Sequence, residues 1–457
     1  MALRNPIMGG AVMRAGGAIL AALALFSPTW ASSRDTGTLA IALTPADGDG
    51  DGIVDRMDVA ITIADPPDAF TMKTLANNVP TAASDMTAPV FTRADAPVAA
   101  RVETRQEDAS NAVRLWHVAN GQQAPLSIAY RVTLDPDRAA LALPQYELRT
   151  GTEGFSGAAL SFLILPDDDI ARDVTIAWHL GAMEPSARAL SSLGIGDVRS
   201  ARPLRPVEIG STYVMAGTPK MVDNGAFFAA WQGDMAFAGE GLMEWAGQLH
   251  RYYGEFFRHA PDSFGVFGRT NPLNPGSGIG LTDSFAFTFD ESSTQADLKG
   301  LLAHEMLHAF VRSLGDTMDA AHGLSSAWFG EGLAVYYQRA LPWRAGLIDD
   351  AAFLDDLNAT AGRYYTNALI ATPNDAIADG FWRDTRVRVL PYDRGSLYFA
   401  KLDADIRAAS ANARNLDGLV RAMLAERRAG GRWIRPFSNV CCAPIWARRA
   451  STDFATC

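Results

Sequence analysis

The stretch Thr294-Gln295-Ala296-Asp297-Leu298-Lys299-Gly300-Leu301-Leu302-Ala303-His304-Glu305-Met306-Leu307-His308-Ala309-Phe310-Val311 decides how this chain is read. Ser292, Ser293 or Thr294 can cap a helix, and Leu298, Leu301, Leu302, Phe310 and Val311 recur at near-helical spacing. On such a helix His304 and His308, four residues apart, lie on one face, where both imidazoles can reach one ion. With Glu305 between them the stretch has the form H-E-x-x-H, two zinc ligands and a general base for the water that attacks a carbonyl carbon. The alternative is a chance match on an ordinary amphipathic helix. With only 7 His in the chain, two at this spacing around a Glu argue against chance.

A catalytic zinc takes three protein ligands and keeps one position open. The third is expected from Trp328-Phe329-Gly330-Glu331-Gly332-Leu333-Ala334-Val335-Tyr336-Tyr337, where Glu331 is the only acid in an apolar, helical run. A carboxylate buried there needs a metal or a salt bridge to offset its desolvation. His322, between the two helices, is a rival ligand, although a loop histidine is more often solvated.

These two segments together resemble the glycyl-aminopeptidase family of gluzincin metallopeptidases. A third, Pro391-Tyr392-Asp393-Arg394-Gly395-Ser396-Leu397 followed by Lys401-Leu402-Asp403-Ala404-Asp405-Ile406-Arg407, is similar to that family's tyrosine-bearing helix, with Arg394 where Lys is commoner. The resemblance implies that His304, His308 and Glu331 bind zinc, that Glu305 is base and proton shuttle, and that Tyr392 donates a hydrogen bond to the oxyanion. It also implies an edge strand that lines the substrate, here Gly278-Ile279-Gly280-Leu281-Thr282-Asp283-Ser284. Gly280 and Asp283 are its substrate-binding candidates. The family's amine-binding Glu has no counterpart in that stretch, and Asp283 is the acid left to substitute. His308 is followed by Ala309-Phe310 instead of the family's x-Trp. The family commonly carries a PDZ-like module after the peptidase domain, and the roughly fifty residues after Arg407 imply that it is absent.

The rest of the chain fits a multidomain protein, since 457 residues exceed the size at which one core stops growing. Residues 1–31 read as a secretory signal, with Arg4 and Arg14, an apolar run from Ala15 to Phe26 and a cleavage site at Thr29-Trp30-Ala31. That run is shorter than a bilayer span, so export and a secreted or periplasmic location are expected, with no membrane span after cleavage. Residues 32–206 alternate short Val/Ile/Leu/Thr runs, such as Val59–Ile63, Leu126–Leu134 and Ala158–Leu165, with Pro, Asp and Gly clusters, the pattern of an antiparallel β domain. Residues 207–410 are expected to form an α+β, thermolysin-like catalytic domain. It would have strands near 212–216, 264–267 and 284–289, and helices over Glu240–Phe257, Ser326–Arg339 and Asp393–Ala408. Residues 411–457 are left as a helical segment and a tail that holds all 3 Cys, Cys441, Cys442 and Cys457, which make no disulfide framework.

The acidic loop Asp47-Gly48-Asp49-Gly50-Asp51-Gly52-Ile53-Val54-Asp55-Arg56-Met57-Asp58 places Asp47, Asp49, Asp51, Asp55 and Asp58 at the acid positions of an EF-hand calcium loop. Its flanks read as strand, and Asp58 is shorter than the bidentate Glu of that motif, so calcium competes with a solvated acidic turn. A net charge of −11 excludes a nucleic-acid partner that needs a basic face. The functional expectation is an exported zinc peptidase acting on peptide or protein substrates, an aminopeptidase preferring small N-terminal residues. Its rivals are an endopeptidase of the same chemistry and a non-catalytic peptide-binding protein on a peptidase scaffold.

Overall fold

The computed structural model describes residues 37–119, 125–141, 145–311, 324–381 and 383–428. The expected signal segment, His322 and the three cysteines lie outside them.

The N-terminal half is built from alternating strands. In Thr38–Ala46 and Arg56–Ile63 every second side chain is buried, which puts Leu39, Ile41 and Leu43 against Val59, Ile61 and Ile63 on one face. These strands centre a seven-stranded sheet in the order 198–199, 173–178, 38–46, 56–63, 126–133, 90–93, 96–98. It is antiparallel except where Thr38–Leu43 runs parallel to Asp173–Trp178. A second sheet, built on Ala69–Ala76, Ala112–Val118 and Ala100–Gln106, packs Phe70 and Trp116 into the same core.

One expected strand is absent. In the run Ala158–Leu165 the chain leaves its strand at Ala158, makes a 3-10 turn over Ala159–Ser161 and only touches another strand at Leu165. An all-apolar run has no period to separate strand from turn. The Tyr130 hydroxyl fixes the turn, donating to Phe162 O at 2.8 Å and accepting from Ile164 N at 3.1 Å.

Tyr213–Gly217, just past residue 206, pairs with Gly154–Ala158 and Arg188–Ser191 of the N-terminal half. The C-terminal half has its own five-stranded sheet in the order 220–224, 227–232, 264–270, 284–289, 278–281. Its middle pairs are parallel, and Gly278–Leu281 is an antiparallel edge strand. The helix Gly239–Phe257 covers one face through Leu242, Met243, Ala246, Leu249 and Tyr253, a stripe of three- and four-residue steps.

The helices that carry the candidate site follow. Gln295–Phe310, the motif helix, is capped by Thr294, whose side chain accepts from Asp297 N at 3.2 Å. Ala327–Arg344, the glutamate helix, extends past the expected end and carries Pro342 within its last turns. Leu390–Ala409, the tyrosine helix, begins three residues earlier than expected and so includes Tyr392. Asp350–Tyr365, the outer helix, was not expected, and Leu416–Arg428 closes the described chain. The sequence expectation of an antiparallel-rich β half followed by an α+β half is what the molecule shows. No helix among the described residues is long and apolar enough to cross a membrane.

Candidate metal centre and active site

The motif helix brings His304 and His308 to one face, with their Nε2 atoms 3.2 Å apart. Glu331 comes from the glutamate helix, and its Oε2 lies 3.1 Å from His304 Nε2 and 3.3 Å from His308 Nε2. Two imidazole nitrogens and a carboxylate oxygen thus form a near-equilateral triangle. Edges of this length are close to those of one face of a tetrahedron whose corners lie about 2.0–2.1 Å from its centre, the spacing zinc requires. The donor set fits a divalent metal with nitrogen and oxygen ligands.

The network behind His304 fixes which nitrogen faces that point. His304 Nδ1 lies 3.0 Å from Gln338 Oε1, while Gln338 Nε2 donates to Asp356 Oδ1 at 3.1 Å. An amide oxygen only accepts, so Nδ1 carries a proton; without a metal Nε2 carries one too and donates to Glu331, and a metal in the triangle would displace that proton and take the Nε2 lone pair. Arg339 anchors the far end, donating to Asp356 Oδ2, to Ser396 Oγ at 2.8 Å and to Thr360 Oγ1 at 2.7 Å.

Glu305 is wedged between the motif helix and the edge strand. A Cβ built at Gly278 would stand 2.4 Å from the Glu305 carboxyl carbon, so only glycine leaves this acid its place. Burial pushes the Glu305 carboxyl up and nearby Glu331 adds to the rise, while His304 and His308 oppose it. In Glu331 burial also pushes upward, but the charges and hydrogen bonds of His308 and His304 outweigh it and hold the carboxyl well below its usual range. The two neighbouring carboxyls are thus pushed in opposite directions, Glu305 up and Glu331 down, as an acid–base centre beside a ligand needs.

Tyr392 stacks on His304, with ring centroids 5.8 Å apart and planes 17° apart. Burial first, then the charges of Glu331 and Glu305, keep its phenol protonated and able to donate. Tyr392 and Glu331 meet because their helices cross at glycines. A Cβ at Gly395 would come within 2.1 Å of Trp328 O, and one at Gly332 within 2.4 Å of Gly395 Cα. Arg394 donates to Asn374 Oδ1, Ile370 O and Thr372 O, and Asp393 is fully buried against Arg363.

Other expected residues are placed as follows. Gly280 lies in the edge strand beside the motif helix, where an added Cβ would be 3.8 Å from His308 Cβ. Asp283 sits in the turn after that strand, in left-handed backbone, with its carboxylate 3.5 Å from Arg202. Of the five acids of the calcium-like loop, Asp47, Asp49 and Asp51 offer oxygens close together, whereas Asp55 accepts from Gly48 N and Asp58 is bidentate on Arg131. Asp58 is drawn away because it belongs to the strand Arg56–Ile63, whose pleat aims it at Arg131 on the neighbouring strand. The EF-hand constellation is therefore not assembled.

Residues 297–379 match the family model described as M61 glycyl aminopeptidase. Among solved structures, an aminopeptidase N family protein from Idiomarina loihiensis superposes with a TM-score of 0.68 at 14% identity, over 92% of this chain and 75% of that one. Native yeast LTA4 hydrolase gives a TM-score of 0.49 at 11% identity, over 86% of this chain and 62% of that one. No curated protein matches the sequence. The sequence resemblance to the M61 glycyl aminopeptidases is borne out by this match over residues 297–379, on a fold shared with an aminopeptidase N family protein.

Proposed function

We propose that the protein is an exported zinc-dependent peptidase that cleaves peptide bonds by attack of water, with aminopeptidase action on small N-terminal residues as the leading form. One observation carries this reading: the Nε2 atoms of His304 and His308 and Glu331 Oε2 converge within 3.3 Å of one another, with Glu305 and Tyr392 beside them. A zinc ion held by these three would polarise the scissile carbonyl and make water a stronger acid. Glu305 takes the proton from the attacking water and passes it to the departing nitrogen, a role for which its raised basicity suits it. Tyr392 donates its hydroxyl hydrogen to the carbonyl oxygen as negative charge develops there.

A second reading, an endopeptidase of the same chemistry, is favoured by one observation. The edge strand Gly278–Leu281 carries no acid, and Asp283 is already paired with Arg202. A substrate ammonium group therefore has no carboxylate from this strand. Paired peptides that differ only in N-terminal acetylation separate the two. Cleavage confined to the free-amine member supports the aminopeptidase, and equal cleavage of both supports the endopeptidase.

A further inference from the structure

One cation near Tyr392 has no part in the chemistry above. Arg388 ends the short helix Thr385–Arg388, and helical hydrogen bonds continue from there into the tyrosine helix: Val389 N donates to Thr385 O at 3.1 Å and Asp393 N to Val389 O at 3.0 Å. Arg388 and Tyr392 are thus neighbours one turn apart on a continuous helical path. Arg388 is exposed, and among the described residues it has no ion-pair or hydrogen-bond partner.

Three nearby arginines are engaged, whereas the exposed Arg383, one turn farther from Tyr392 than Arg388, is likewise without a side-chain partner among the described residues. Arg386 is held by Asp384 at 2.7 Å, Arg363 by Asp393 at 2.8 Å, and Arg394 by Asn374 and two carbonyls. Of Arg363, Arg386, Arg388 and Arg394, Arg388 alone has no donor taken up by an acceptor among the described residues. Its charge is felt at the Tyr392 hydroxyl, where it opposes the effect of Glu331 and Glu305. Arg388 therefore lies one helical turn from the residue proposed to face the scissile carbonyl, at a site whose edge strand offers no acid.

An exposed guanidinium is a planar fork matched to a carboxylate, which it can bind through two parallel hydrogen bonds. We propose that Arg388 binds a carboxylate of the peptide substrate, either its free C-terminus or an acidic side chain, so that short or acidic peptides are favoured. This assignment rests on the peptidase reading for its substrate, and its test is made on binding so that the two can fail separately.

The zinc-loaded full chain carrying Glu305→Gln is titrated with Ala-Ala-Ala as free acid and as C-terminal amide, and with Ala-Glu-Ala amide beside Ala-Gln-Ala amide. The carboxylate member of at least one pair is expected to bind about tenfold tighter, a modest gain for a charge-assisted pair. The first pair reports the C-terminus, the second an acidic side chain. Adding Arg388→Met should bring that ratio close to one, and Arg388→Lys should keep part of it. Equal binding within both pairs, or a preference that survives Arg388→Met, overturns the assignment. If the preference follows Arg388 while the unsubstituted protein cuts none of the four peptides, the subsite stands and the peptidase reading fails.

Discussion

The crossing of the glutamate and tyrosine helices offers the sharpest mechanical test. Gly395→Ala would place a methyl carbon 2.1 Å from Trp328 O and 2.7 Å from Gly332 Cα, where ordinary contact begins at 3.4 Å. Both obstacles are backbone, so no side chain can swing aside. The helices must separate by more than 1 Å at the point that sets Glu331 against Tyr392. Overpacking of this kind costs about 1–3 kcal/mol of stability. A displacement of about 1 Å between catalytic groups costs on the order of a hundredfold in rate. The expected outcome is a lowered Tm together with kcat/KM reduced by about two orders of magnitude. Gly300→Ala is the control: Gly300 lies within the motif helix with nothing within 4 Å of an added Cβ, so it should leave activity alone and raise stability slightly. A Gly395→Ala protein with unchanged Tm and unchanged turnover would refute the claim that this close approach positions the site.

Two further outcomes are expected. Gln338→Ala removes the acceptor that holds His304 in its ligating tautomer, so metal affinity, measured by competition with a chelator, should fall about 10–100-fold, whereas an unchanged affinity would show that the Gln338–Asp356 link is only structural. His250 is 6% exposed among Phe227, Phe264 and Phe310, its Nε2 has no partner, and burial pushes its imidazole down to about 4. The unfolded chain, with a value near 6.5, then binds more protons between those two pH values. The His250 contribution is complete above pH 6.5 and is lost as pH falls toward 4, by up to about 1.4 kcal/mol per pH unit. His250→Phe should therefore flatten the fall in Tm between pH 6.5 and 4.5, and identical slopes for both proteins would contradict the assignment.

The parts of the molecule that announce themselves in the sequence are those where period and chemistry coincide. His304, Glu305 and His308 sit on a helix with a polar cap at Thr294 and an apolar stripe, and Glu331 is a lone acid among apolar neighbours. Strands such as Arg56–Ile63 alternate strictly and can be read directly. Elements held by something other than a buried stripe cannot. The outer helix Asp350–Tyr365 buries only Thr360 and is tied down by the Asp356 and Arg363 ion pairs, so its sequence looks like surface. Gly278, Gly332 and Gly395 act through what they leave out, and a close approach between distant segments leaves no local signal. Gln338 could have been suspected, because it lies seven residues after Glu331 and so on the same helix face. Tyr213–Gly217 reads as a strand, but nothing local says that its partners lie in the N-terminal half.

The central claim is that His304, His308 and Glu331 hold one catalytic metal with Glu305 as the base. Metal content and peptide turnover of the purified protein, measured beside its Glu305→Gln variant, test it most directly. About one zinc per chain in both proteins, with turnover only in the unsubstituted one, is the predicted result, since Glu305 is no ligand but receives the proton. A protein that binds no zinc, or a Glu305→Gln variant that cleaves peptides at the original rate, would contradict it.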